Sequence, residues 1–398
     1  MNFSRKGVST AVAVVAVVVV AVIVAGGAYF AFGTASGGTA PVTSTITAIS
    51  TTTAASTTAT PVPISGAGGT LVAPLMATWQ FAYQQATGGQ VNYSPIGSGG
   101  GIQQITAKTV DFGESDAPLT TAQYSGLPAG TTLLTIPISD SGVVPAYNLP
   151  NVTAHIDFTG DLLAKIFLGQ VTMWNDPAIV ALNPGVSLPA HAITVVHRSD
   201  GSGTMYAFTN FLSDSNAQWK SQVGKGTAVN WPTGLGCKGN SGVAGCVQGT
   251  PYSIAPLEIA YQIQNPGVIN YGAVRNGAGN FVLANLTNIA AAMQAGGSGL
   301  PAGSAQWTKV SIIDNIFNDT TDKGIYPITT FTYALVYQAQ TDQQKGSAVV
   351  GFVWWIVNSG QSAGKALGYP ALPSNVVQLD DATLKTVTYN GTPLYTGS

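Results

Sequence analysis

Charge is what this sequence has least of. Asp, Glu, Lys and Arg make up 8% of its 398 residues, against roughly 25% in typical soluble domains. No charged residue occurs between Lys6 and Lys108. Such a surface has to be wetted by Ser, Thr, Asn, Gln and Gly, helped by glycans wherever an Asn-X-Ser/Thr site is used. Those sites occur at Asn92, Asn151, Asn285, Asn318 and Asn390, with Asn92 in an expected strand. Setting Arg5 and Lys6 aside, twelve basic residues face sixteen acidic ones with no basic stripe, which argues against a nucleic-acid partner. A net-negative protein that binds an anion must use aimed local donors rather than long-range attraction. Cysteine is scarce as well, limited to Cys237 and Cys246 in a glycine-rich stretch. No zinc spacing fits them. Their closeness suits a small disulfide loop outside the cell, and two small buried thiols are the other reading. The three histidines, His155, His191 and His197, show no metal spacing, so neither metal nor cofactor is expected. Enzyme signatures are missing too. Ser98 and Ser202 lie in glycine loops, but Ile96 and Asp200 stand where a G-x-S-x-G elbow needs glycine. A phosphate-cradling G-x-x-x-x-G-K-[ST] loop does not occur.

What is present begins with an apolar run from Val8 to Phe32, preceded by Arg5-Lys6-Gly7. As a helix it reaches roughly 37 Å, enough to span a bilayer with some tilt. With Arg5 and Lys6 inside, the remainder lies outside. The start resembles the class III, prepilin-type leaders of archaeal surface-binding proteins, in which a basic-Gly junction such as Lys6-Gly7 is cut. Residues 34–60 hold fifteen Ser or Thr and no charge, the composition of an extended stalk. Four segments are expected: a membrane-anchor helix at 1–33, a Ser/Thr-rich linker at 34–63, and a body of two lobes. Lobe I takes 64–145 and 330–398, and lobe II takes 146–329. A chain of this length exceeds what one core usually holds.

The body alternates short apolar runs, glycine loops and helical patterns, the texture of an α/β fold with largely parallel sheets. Strands are expected at Val91–Tyr93, Thr132–Ile138, Gly142–Tyr147, Ile193–His197 and Phe331–Tyr337. Helices are expected at Leu71–Ala86, Gly101–Thr109, Gly160–Leu168 and Thr204–Leu212. His197, in a strand beside Arg198, is expected to pack rather than react.

Three loops share one construction: Gly66–Thr70, Gly97–Gly101 and Asp200–Thr204. Each brings a hydroxyl and unpaired backbone N–H groups to a helix N-terminus, where the dipole favours anions. One such loop is usually only a cap. Three of them, one directly preceded by Arg198, point to an oxyanion site. A planar guanidinium suits a tetrahedral oxyanion, and Asp200 could hold it in place. The segment Asp111–Pro118 adds acids. A carboxylate facing an anion repels it unless the anion carries a proton to donate, which phosphate does and sulfate does not.

Together these segments resemble those of phosphate-binding proteins, the substrate-binding components of phosphate ABC transporters. The similarity runs through Gly66–Leu71 with Pro74, Val91–Tyr93 leading to Gly97–Gly101, Thr109–Pro118, Leu182–Gly185, Arg198–Thr204, Trp231–Gly242 and Pro327–Thr329, and covers roughly residues 64–375. It implies a periplasmic-binding-protein type II fold, with two lobes joined by two hinge crossings that close on the ion. The family pattern assigns Thr70, the backbone of Leu71, Ser98, Asp116, Arg198, Ser202, Gly203 and Thr204 to phosphate, with Asp200 holding Arg198. Asp116 would accept the phosphate proton. Glu114 stands where a small residue is usual and is expected to face solvent. The implied function is extracellular capture of inorganic phosphate by a monomeric receptor body, and its delivery to ABC transporter permease subunits. A filament-forming surface protein and a receptor for a related oxyanion are the other readings.

Overall fold

The computed structural model describes residues 61–395. The expected anchor helix and all but the last residues of the linker lie outside the described residues. Among those described, no helix is long and apolar enough to cross a membrane.

The main sheet takes its strands in chain order from β1 (Ile64–Gly68), β2 (Val91–Pro95), β3 (Phe112–Ser115), β4 (Leu133–Tyr147), β5 (Thr194–Arg198), β6 (Leu235–Cys237), β7 (Ser253–Glu258), β8 (Asn270–Tyr271) and β9 (Thr329–Tyr337). In space they run β2-β1-β3-β9-β4-β7-β5-β6, with β8 beside β4. The flanks are parallel: β1 pairs with β2 and β3, and β5 with β6 and β7. The centre is not. From β3 through β9 and β4 to β7 every pairing is antiparallel. The expectation of largely parallel sheets therefore holds only where a helix carries the chain back over the sheet between neighbouring strands.

The two strands expected at Thr132–Ile138 and Gly142–Tyr147 are one strand, β4, buried along all 15 residues. Ser139-Asp140-Ser141 reads as a polar break in the sequence. In the fold it lies under cover on both faces, where Ser141 donates to Glu258 at 2.6 Å. The first part of β4, Leu133–Gly142, pairs with β9, and its last part, Val143–Tyr147, pairs with β7.

Six of the helices are α1 (Ala73–Thr87), α2 (Ser98–Thr106), α3 (Gly160–Phe167), α4 (Gly203–Ser215), α5 (Gly239–Gly249) and α6 (Ile259–Ile263). Pro74 sits in the first turn of α1, where its missing N–H costs nothing, so that helix starts later than Leu71. α2 starts earlier than expected, taking Ser98 and the glycines into its first turn. Those glycines let it lie directly on β1 and β3. A Cβ at Gly101 would be 2.4 Å from the Glu114 carbonyl oxygen and 2.5 Å from Gly68 Cα. Thr159 and Ser202 cap α3 and α4 with side-chain oxygens, as their types favour.

One apolar cluster extends from Trp79 and Phe112 through Tyr147 to Trp174, Phe208 and Trp219. His197 stacks on Trp231, ring centroids 4.8 Å apart. Cys237 and Cys246 form a disulfide that ties β6 to α5. All five sequon asparagines are exposed, Asn92 among them because β2 is an edge strand.

Glu258, at the end of β7, is fully buried. It accepts from Ser141 and from the Ala260 N–H at 2.9 Å, which caps α6. Burial outweighs these bonds and pushes its carboxyl up to about 8. The folded protein thus holds this proton more tightly than the unfolded chain. Its contribution to stability is complete below the ordinary value of 4.5 and is lost as pH rises through about 8. Buried Asp140 and Asp380 are shifted in the same direction. The thermal midpoint should therefore fall between about pH 5 and pH 8, and Glu258→Gln should flatten that fall. Melting curves of both proteins across this range test it, and identical slopes would exclude Glu258 as a contributor.

Candidate oxyanion site

The three glycine loops meet where β1, β2 and β5 end, and the start of α5 joins them as a fourth wall. Three small networks knit the loops together. In the first, Asn240 at the head of α5 donates from its backbone N–H and from Nδ2 to Thr70 Oγ1, both at 3.1 Å. The same Nδ2 donates to Thr204 Oγ1 at 3.1 Å, so one amide joins the first loop to the start of α4. In the second, Ser98 Oγ donates to Asp116 Oδ2 at 3.1 Å and accepts from the backbone N–H groups of Asp116 and Gly203, also at 3.1 Å. Thr332 of β9 donates to Asp116 Oδ1 at 2.8 Å. In the third, Arg198 at the end of β5 presents Nε and Nη2 to the two oxygens of Asp200, with Nε at 2.7 Å. Asp200 also accepts from the Gly239 N–H at 3.1 Å.

The spacing is set by residues without side chains. Gly97, at φ +90°, has a conformation that favours glycine, and a Cβ there would lie 2.6 Å from both Asp200 Oδ2 and the Gly201 carbonyl oxygen. The Gly99 N–H donates to that same carbonyl at 3.1 Å. A Cβ on Gly203 would lie 2.3 Å from Asp116 Cβ. Backbone and carboxyl therefore approach as closely as heavy atoms allow.

Of the residues expected at the site, Thr70, Ser98, Asp116, Arg198, Gly203, Thr204 and Asp200 come together, and the side chains of the first four and of Thr204 are buried. Ser202 Oγ caps its own helix by accepting from Met205 N–H at 3.3 Å, which leaves its hydroxyl hydrogen to donate. Leu71 is wholly buried, and its carbonyl accepts from Tyr369 at 2.7 Å. Its side chain fills core.

Glu114 does not face solvent. It is fully buried beside Asp116, accepting at Oε2 from the Tyr93 hydroxyl at 2.8 Å and from the Gly69 N–H. β3 reads Phe-Gly-Glu-Ser and is buried at all four positions, so its acid has no outward face to occupy. Burial, then the neighbouring Asp116, hold the Glu114 carboxyl well above the usual range. Burial also raises Asp116, although bonds from Glu114, Thr332 and Ser98 and the charge of Arg198 pull it back. Partial burial acts to raise Asp200, but the bonds and charge of Arg198 bring it below its ordinary value.

Buried donors, one guanidinium and the starts of α2, α4 and α5, gathered at these loops, suit a small tetrahedral anion. The sequence matches the PBP superfamily domain over residues 47–359. It is 41% identical to the phosphate-binding protein PstS of Xylella fastidiosa over 322 residues, covering 81% of this chain and 84% of that one. PstS of Pasteurella multocida is also 41% identical, over 81% of this chain and 90% of the relative. The chain belongs to the PstS family of phosphate-binding proteins. Its fold is the α/β type II fold of periplasmic binding proteins. It superposes on the ancestral soluble variant of the human phosphate binding protein with a TM-score of 0.64 at 20% identity, covering 83% of this chain and 96% of the other. PstS membership places the chain among binding proteins and not enzymes.

Four further residues join these loops: Asn240, Thr332, Tyr93 and Tyr261. Asn240 lies in the Trp231–Gly242 segment and opens a glycine-started helix, which is the available signal. Thr332 reaches Asp116 from a strand more than two hundred positions away. Tyr93 is hydrogen bonded to the Gly69 carbonyl at 2.9 Å, and Tyr261 to the Thr70 carbonyl at 2.7 Å. Only tertiary approach reveals Thr332 and Tyr261, whereas Tyr93 lies in the Val91–Tyr93 segment that resembles the family.

Proposed function

We propose that this chain captures inorganic phosphate outside the cell and delivers it to the permease of an ABC transporter. PstS membership supports the ligand and the transporter partner. In this reading the phosphate oxygens are held by Thr70, the Leu71 N–H, Ser98, Ser202, Gly203 and Thr204, with Arg198 clamped by Asp200. The lobes are residues 64–145 with 330–398, and residues 146–329, with β4 as one crossing between them. An N-terminal anchor and a Ser/Thr stalk keep the receptor at the membrane, and the exposed sequon asparagines suit a glycan coat on its low-charge surface.

The observation that carries this reading is Asp116. A buried carboxylate among anion donors makes sense only toward a ligand that brings a proton, and phosphate does. Calorimetric titration of the full chain should give strong phosphate binding and no heat with sulfate. In Asp116→Asn the phosphate-to-sulfate affinity ratio should narrow by about tenfold to a hundredfold, the cost of one unmatched buried polar contact. Folded protein that gives no heat with phosphate would end this reading.

A further inference from the structure

Glu114 is a second carboxyl in a site that should need one. A Cβ on Gly69 would lie 2.5 Å from Glu114 Oε2 and 2.7 Å from Asp116 Oδ2, so both acids crowd the same glycine. Glu114 Oε2 is bonded, whereas Oε1 receives no hydrogen bond although it is fully buried. The oxygens of Asp116 already accept from Ser98 and Thr332. Two ionised carboxylates side by side without water repel each other strongly, and one proton between them converts the repulsion into a bond. Placed on Glu114, that proton supplies a hydrogen bond between the two acids.

We propose, resting on the phosphate-receptor reading, that Glu114 is a specificity-determining residue that carries a proton into the anion site, so that oxyanion capture depends on the protonation of the Glu114–Asp116 pair. The surrounding groups leave this role to the pair. Tyr93 and Tyr261 are both raised by burial first, and stay neutral. Arg198 is paired with Asp200. Glu258, pushed up to about 8 by burial, ionises inside the tested range but acts on the pair only from a distance, in wild type and Glu114→Gln alike. With the proton in place the two acids carry one negative charge. Without it they carry two, opposed by a single guanidinium that Asp200 already shares. Above the ionisation of the pair, affinity should fall up to tenfold for each pH unit. A glutamine at 114 accepts from Gly69 and Tyr93 and donates to Asp116 without ionising.

The test is calorimetric titration of the full chain and of Glu114→Gln with inorganic phosphate, across about pH 6 to pH 9 in paired buffers of different ionisation heat. The ionisation of free phosphate acts equally on both proteins, so the affinity ratio isolates Glu114. The variant-to-wild-type ratio should rise at least tenfold over this range, and the wild type should take up more protons on binding at the alkaline end. Should Glu114→Gln not fold, Glu114→Ala serves, since it too removes the ionisation. Parallel pH profiles with equal proton uptake, in proteins that bind phosphate, overturn the proposal and leave the receptor intact. No binding by either folded protein at any pH overturns both.

Discussion

Replacing Arg198 with methionine should cost the receptor nearly all of its phosphate affinity. Arg198 is 3% exposed and pairs with Asp200 within the loops, so its loss leaves Asp116 and Asp200 in the site without that charge. Truncating one partner of a buried, hydrogen-bonded charge pair costs about 2–5 kcal/mol or more, which is roughly thirtyfold to several thousandfold in affinity. Arg198→Lys should rescue little of this. Lysine restores the charge but not the planar fork that engages both oxygens of Asp200. Calorimetry with phosphate, paired with far-UV circular dichroism, gives the answer. Binding by Arg198→Met within tenfold of wild type would remove the guanidinium from the proposed ligand set.

Gly203→Ala should be nearly as damaging through a single methyl group. The added Cβ would meet Asp116 Cβ at 2.3 Å and Asp116 Cα at 2.8 Å, and a backbone atom cannot rotate away. The start of α4 would have to retreat from Asp116, breaking the bond from the Gly203 N–H to Ser98. Displacing an aimed donor by about 1 Å is of the order that costs a hundredfold where geometry is everything. Alanine is otherwise the best of helix formers, so the stability of α4 itself should not suffer. A hundredfold loss of phosphate affinity in a variant that keeps its far-UV circular dichroism spectrum, with a lowered thermal midpoint from the displaced helix start, would support the wedge. Unchanged affinity would mean that α4 does not sit against Asp116 when ligand is bound.

Both substitutions fall on residues that are visible in the sequence, and the reason is physical. Arg198, Asp200 and the glycines of the three loops act through their immediate neighbours, so type and spacing reveal them. Asn240 and Thr332 act across distances that only folding closes, one from a helix start and the other from a returning strand. Glu114 misleads for a related reason. An acid in a charge-poor chain normally seeks water, but β3 lies inside the sheet and is buried at all four positions. Ser139-Asp140-Ser141 misleads likewise, since a polar triplet between apolar runs reads as a turn. Here the serine meets a buried acid instead, and β4 runs straight through.

That unbroken strand has a consequence for anyone who would take the molecule apart. β4 gives its first residues to β9 and its last to β7, and both partners come from much later in the chain. A fragment ending after Tyr147 would keep β4 but lose β7, β8 and β9, presenting a long, mostly apolar edge to solvent, the kind that aggregates. A fragment starting after it would leave β7 and β9 with no strand between them. Neither piece should survive expression as a stand-alone domain, and the chain has to be synthesised through β9 before either side of β4 is complete.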